Sequence, residues 1–188
     1  MPGNKLLAIA FIALDLALAY ACGTYITRHR EHTHFEALER ARFEQQQLAE
    51  TAPLPPSQVL AGCMYMASQT YRVPTSALVG IMHVEGGRIG QAVGNHNGTY
   101  DLGPMQVNSL WVPRLARLWN VDYKTAYTAL RDNGCENVYI SAWILKQKMV
   151  QTGGLYNGIA YYHSATPRYG TPYANKVVDT MNRQTARP

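Results

Sequence analysis

From Ser57 to the C-terminus, apolar residues recur at helical spacing in one segment after another. The run is interrupted once, by the short polar stretch Gly94-Asn95-His96-Asn97-Gly98-Thr99-Tyr100-Asp101-Leu102-Gly103. A period near 3.6 over most of a domain leaves no room for strands that could form a sheet core. Asn97-Gly98 is the residue pair that tight hairpin turns favour, because both central positions need positive φ. The pattern therefore predicts a mainly α (α+β) domain. Its helices cover residues 57–71, 74–85, 110–119, 122–131, 135–151, 155–162 and 171–184, with one small β-hairpin inserted after the second of them. No internal repeat is present.

The first 56 residues read differently. Lys5 precedes the run Leu6 to Ala21, sixteen residues broken only by Asp15, and Ala19-Tyr20-Ala21 has the small-x-small form of a signal-peptidase site. Sixteen residues is short for a membrane span, and Asp15 is costly at a bilayer centre, so residues 1–21 are expected to be a signal peptide. An uncleaved N-terminal membrane anchor is the alternative, and lipidation of Cys22 a weaker one. Glu31 to Glu50 is polar and free of Gly and Pro, and its apolar residues are too irregular for a strong core-facing stripe. Pro53-Leu54-Pro55-Pro56 then reads as a semi-rigid linker. The expected organisation is a signal or anchor over 1–21, an exposed helical stalk and linker over 22–56, and the folded domain over 57–188.

Charge and cysteines narrow the setting. Residues 57–188 hold twelve Lys/Arg against six Asp/Glu, whereas residues 1–56 hold five against six. A basic domain favours an anionic partner, which a nucleic acid, a membrane surface or a cell-wall polymer could supply. The basic residues are scattered rather than clustered, so no nucleic-acid partner is expected. Export implies an oxidising compartment, where cysteines pair. Cys22 sits at the processing site, which leaves Cys63 and Cys135 as the expected disulfide. No two cysteines have C-x-x-C spacing, and no metal or cofactor is expected.

One carboxylate stands out. At 100° per residue, Glu85 lies about 20° from Leu78, about 40° from Ile81 and about 60° from Met82, on the face that should be buried. Gly86-Gly87 ends that helix. A carboxyl at a helix C-terminus faces the negative end of the dipole, and partial burial disfavours its charge, so both effects raise its pKa. His83 lies about 200° away around the helix, which separates it from Glu85, and the P-C-x-x-C partner of a zinc deaminase is absent.

After Glu85 and the hairpin come Gly103-Pro104-Met105-Gln106-Val107-Asn108 and, far downstream, Ala160-Tyr161-Tyr162-His163-Ser164. Taken in that order, these segments resemble the lysozyme-like lytic transglycosylases of bacteria. The resemblance runs from Val73 to Met181, includes Cys135-Glu136-Asn137-Val138 and Tyr173-Ala174, and looks closest to the small exported members that accompany type IV secretion, conjugation and invasion systems.

The resemblance implies a lysozyme-like fold and Glu85 as the catalytic acid. It also implies a sugar groove to which Gly103, Met105, Gln106, Asn108 and Tyr162 contribute. Gln106 and Asn108 would bond sugar amides, Met105 would give an apolar floor, and Tyr162 would position Glu85 or the substrate acetamido group. It further implies peptidoglycan glycan strands as substrate, secretion or conjugation proteins as partners, and the periplasm of a Gram-negative bacterium as location, soluble or tethered to the inner membrane. The expected reaction is cleavage of the MurNAc-β-1,4-GlcNAc bond with a 1,6-anhydro product. The alternatives are hydrolysis, with Asp101 assisting, and a non-catalytic peptidoglycan-binding role. Gly86 departs from the family, which usually has Ser after the Glu, and His163-Ser164 departs from the more usual Asn-Ala.

Overall fold

The computed structural model describes residues 33–43 and 56–185. The expected signal segment, Cys22 and most of the stalk and linker lie outside these residues. The chain divides into two units, Met1–Leu48 and Ala49–Pro188. In the first, residues 33–43 form a helix, α1. It is not exposed all round, because Glu39 and Phe43, four residues apart and so on one face, are both buried.

The second unit follows the helical periodicity. Its helices are α2 (Pro56–Tyr71), α3 (Thr75–Glu85), α4 (Val112–Trp119), α5 (Tyr123–Asp132), α6 (Gly134–Thr152), α7 (Leu155–His163) and α8 (Pro167–Thr185). The boundaries answer to local chemistry. Asp122 caps α5 by accepting from the Thr125 N–H at 2.7 Å, and Asn133 caps α6 by accepting from the Glu136 N–H at 3.1 Å. The last helix begins four residues before the expected 171, because Pro167 stands at its first position, where a missing N–H costs nothing.

Helix α6 forms the centre. From Glu136 to Leu145 it is buried on every side, as expected of a helix wrapped by others rather than laid on a surface. α2, α5 and α7 pack around it, and α8 packs on α7 and α3. Cys63 of α2 is disulfide-bonded to Cys135 in the first turn of α6, closing a loop of 72 residues.

The β insert is one strand larger than the hairpin expected from Asn97-Gly98. β1 (Ala92–Gly94), β2 (Tyr100–Leu102) and β3 (Val107–Asn108) make an antiparallel sheet in that order. β3 is two residues long, too short to leave a period in the sequence. Its register sets Asn108 opposite Asp101 and Val107 opposite Leu102. Side chains alternate along a strand, so Leu102 and Val107 enter the core while Asp101 and Asn108 share the other face.

Candidate active site

Glu85 is the last residue of α3, and the chain turns away immediately after it: Gly86 adopts φ +62° and returns its N–H to the Met82 carbonyl at 3.0 Å. Gly87 then lies against the turn that precedes β3. A Cβ at Gly87 would collide with the Gly103 carbonyl oxygen and come within 2.5 Å of Gln106 Nε2. The helix end that carries the acid and the Gly103–Gln106 turn are thus in direct contact, too close for a side chain on Gly87, with the Gln106 amide packed at the same point.

That turn is held from behind by one buried amide. Asn137 of α6 accepts from the Met105 N–H at 2.7 Å and donates to the Leu102 and Leu130 carbonyls at 2.7 and 2.9 Å. Gly103 has φ +66°, and a Cβ there would meet Asn137 Nδ2 at 2.6 Å. Gln106 has φ +50°, unusual without glycine and found where surrounding structure enforces it.

The acid opens on a groove of about 790 Å3. Glu85, Asp101, Gln106, Asn108 and Tyr162 line it; so do the hairpin residues Asn95, His96 and Thr99, together with His163 and Tyr169. Val107, Trp111 and Ile144 supply apolar surface, and Arg114 lies over the Trp143 ring at 4.8 Å behind Trp111. His83 is exposed and lines a separate dent with Lys176 and Arg183.

The structure gives several of these residues tasks other than those expected. Met105 and Gly103 lie beneath the groove, not on it: Met105 is fully buried, and its carbonyl accepts from Tyr162 Oη at 3.0 Å. Tyr162 therefore spends its proton on the turn rather than on Glu85. Asn108 donates to Asp101 Oδ1 at 2.8 Å and to Thr99 Oγ1 at 3.1 Å, and its own oxygen accepts from the Leu110 N–H, so its amide is engaged at both ends. Gln106 donates to the Gly103 carbonyl at 2.8 Å, and its side-chain oxygen accepts no hydrogen bond among the described residues. Asp101, read above as an aid to hydrolysis, is held on the groove wall by Asn95 and Asn108.

The residue that touches Glu85 is Tyr173, on α8. Its hydroxyl donates to Glu85 Oε1 at 2.6 Å. His163 stacks flat against the Tyr173 ring, with centroids 4.5 Å apart and planes 4° from parallel. Among the described residues Glu85 makes no ion pair. Burial raises its pKa from 4.5 to about 7; the Tyr173 hydrogen bond pulls it down and the Asp101 charge pushes it up, both more weakly. Tyr173 and Tyr162 are pushed up by burial and by the Glu85 charge, so both phenols stay protonated donors. Sequence reasoning gave Tyr173 no role at the acid and Asn137 none behind the turn. The only signal for either was its place in the segments that carry the resemblance.

A helical domain that presents one acid of raised pKa at a helix end, over a polar groove walled by a small sheet, is a lysozyme-like enzyme for a glycan chain. Residues 62–176 match the family model described as Transglycosylase SLT domain, more than half of the chain, and the protein belongs to that family. Members of the family are lytic transglycosylases that act on peptidoglycan in the periplasm, and this chain is an enzyme of that class with peptidoglycan as its substrate. It is also similar to Protein IpgF of Shigella flexneri, 29% identical over 107 residues, which span 56% of this chain and 67% of the relative. No helix among the described residues is long and apolar enough to cross a membrane.

Proposed function

We propose that the protein cleaves the MurNAc-β-1,4-GlcNAc bond with a single carboxyl and releases a 1,6-anhydro product. Glu85 donates its proton to the linking oxygen, and the substrate's acetamido group assists as the sugar centre gains oxocarbenium character. The carboxylate then accepts the proton of the muramoyl C6 hydroxyl, whose oxygen closes on C1. One group serving as acid and then as base works best with a pKa near the operating pH. The observation that carries this reading is Glu85 itself, in the groove and raised by burial to about 7.

Hydrolysis is the second reading, supported by Asp101, a carboxylate fixed on the same groove by two asparagine amides. Digestion of sacculi by the full chain separates the two: anhydro-muropeptides support cyclisation, and products heavier by one water support hydrolysis. Glu85→Gln, equal in shape but unable to cycle a proton, should lower turnover by about 10²- to 10⁴-fold. Intact sacculi with the unaltered protein bound to them would favour the non-catalytic alternative.

Export, and a role in opening the wall locally for a secretion or conjugation apparatus, belong to the same proposal. They rest on the N-terminal apolar run and on the likeness to the small exported members. Deleting residues 1–21 should leave the protein in the cytoplasm, which cell fractionation reads directly.

A further inference from the structure

His163 closes α7, and the C-terminus of that helix is satisfied without it, since the Ser164 N–H bonds the Ala160 carbonyl at 2.9 Å. The imidazole makes no hydrogen bond among the described residues. One of its faces lies flat on Tyr173 and the rest of the ring is exposed along the groove. Tyr173 enters the core from α8, and its hydroxyl is the hydrogen-bond donor on Glu85. The acid is therefore held by a phenol, and the phenol is backed by a ring on a different helix.

We propose that His163 is a positioning residue: its ring is the plate that fixes the plane of Tyr173, and through it the hydrogen bond that orients Glu85. The proposal rests on the reading of Glu85 as the acid. A carboxyl that must point first at a glycosidic oxygen and then at a sugar hydroxyl gains from a fixed neighbour, because small misplacements of a reacting group are costly. What the stack supplies is flatness and contact area rather than charge. The groups facing His163 are Tyr173 and Lys176 from α8 and Asp101 from β2, with Glu85 beyond the phenol. Burial and Lys176 lower its pKa against the pull of Asp101, so the ring takes up a proton less readily than an ordinary imidazole. A neutral aromatic ring of another kind should then serve.

The test compares His163→Ala, His163→Phe, Tyr173→Phe and Glu85→Gln in the full chain, measuring muropeptide release, KM, pH profile and melting temperature. His163→Ala should lower kcat by roughly tenfold or more at nearly unchanged KM. It should also move the basic limb of the profile to higher pH: the Tyr173 hydrogen bond favours the carboxylate, so loosening it raises the Glu85 pKa. His163→Phe should restore both. In a Tyr173→Phe background, His163→Ala should shift the limb no further, because the two act along one path.

Normal kcat and an unmoved limb in His163→Ala, with Glu85→Gln inactive, would overturn the proposal and leave the acid in place. So would a Phe variant as impaired as the Ala variant, or Ala variants that lose melting temperature and nothing else. Activity surviving in Glu85→Gln is a different failure, that of the acid assignment.

Discussion

Tyr173 and Glu85 are separated by 88 residues of sequence and by one 2.6 Å hydrogen bond in space. The bond exists because α8 packs on α3, and it sets two opposed influences on one carboxyl: burial favours the acid form, while the phenol favours the carboxylate. An enzyme that needs both forms in one turnover gains from that opposition.

Replacing Tyr173 by Phe removes only the influence that favours the carboxylate. The Glu85 pKa should rise above about 7, since the hydrogen bond lowers it and burial remains. A step that requires protonated Glu85 is then lost at higher pH than in the unaltered enzyme. The step that requires the carboxylate loses its oriented partner, so maximal turnover should fall. The pH profile of muropeptide release checks both, and a basic limb that stayed in place would show the bond to be idle.

Glu85 also makes stability depend on pH, with a sign opposite to that of a salt-bridged acid. Its folded pKa is about 7 and its ordinary value 4.5, so between these the folded state binds more protons than the unfolded. The domain is favoured below pH 4.5, loses stability as pH rises, and has lost up to roughly 3 kcal/mol above pH 7. Glu85→Gln lacks this term. The variant should unfold like the unaltered protein near pH 4 and be the more stable of the two at pH 8, in thermal melts at both values.

Gly86 and Gly87 should respond differently to alanine. At Gly86 there is open space, so the cost is that of a side chain at positive φ, about 1 kcal/mol. At Gly87 the added methyl meets backbone, so either α3 or the Gly103 turn must move. Gly87→Ala should therefore lose both stability and activity. Chemical denaturation and muropeptide release on the pair provide the comparison.

Reducing the Cys63–Cys135 bridge, or replacing both residues by Ala, should cost about 4 kcal/mol for a loop of 72 residues. That is on the order of 10 °C in melting temperature for a domain of this size. A shift of a degree or two would mean that the unfolded chain keeps residual structure that already holds these two segments together.

Much of this was written in local spacing. The helical phase of Leu78, Ile81 and Met82 places Glu85 inward, Gly86 marks where its helix stops, and Asn97-Gly98 marks the hairpin. What was not legible depends on elements far apart in the chain. The meeting of Tyr173 with Glu85 follows from how α8 crosses α3, and no periodicity encodes a crossing. The resemblance implies that Asn108 binds sugar, and it does line the groove; that cross-strand register also sets it against Asp101 was not legible, because two-residue strands carry no readable register. The resemblance implies Met105 as an apolar floor of the groove, yet its side chain is in the core while its backbone bonds Asn137 and Tyr162.

The contact of Gly87 with the Gly103 carbonyl has a mechanical consequence. The Gly87 backbone and the Gly103 carbonyl approach too closely for a Cβ, with the Gln106 amide beside them, so a shift of either displaces the other and the proton donor and the segment beside it form a single jaw. Transplanting this chemistry to another scaffold would mean moving the jaw whole, both glycines included.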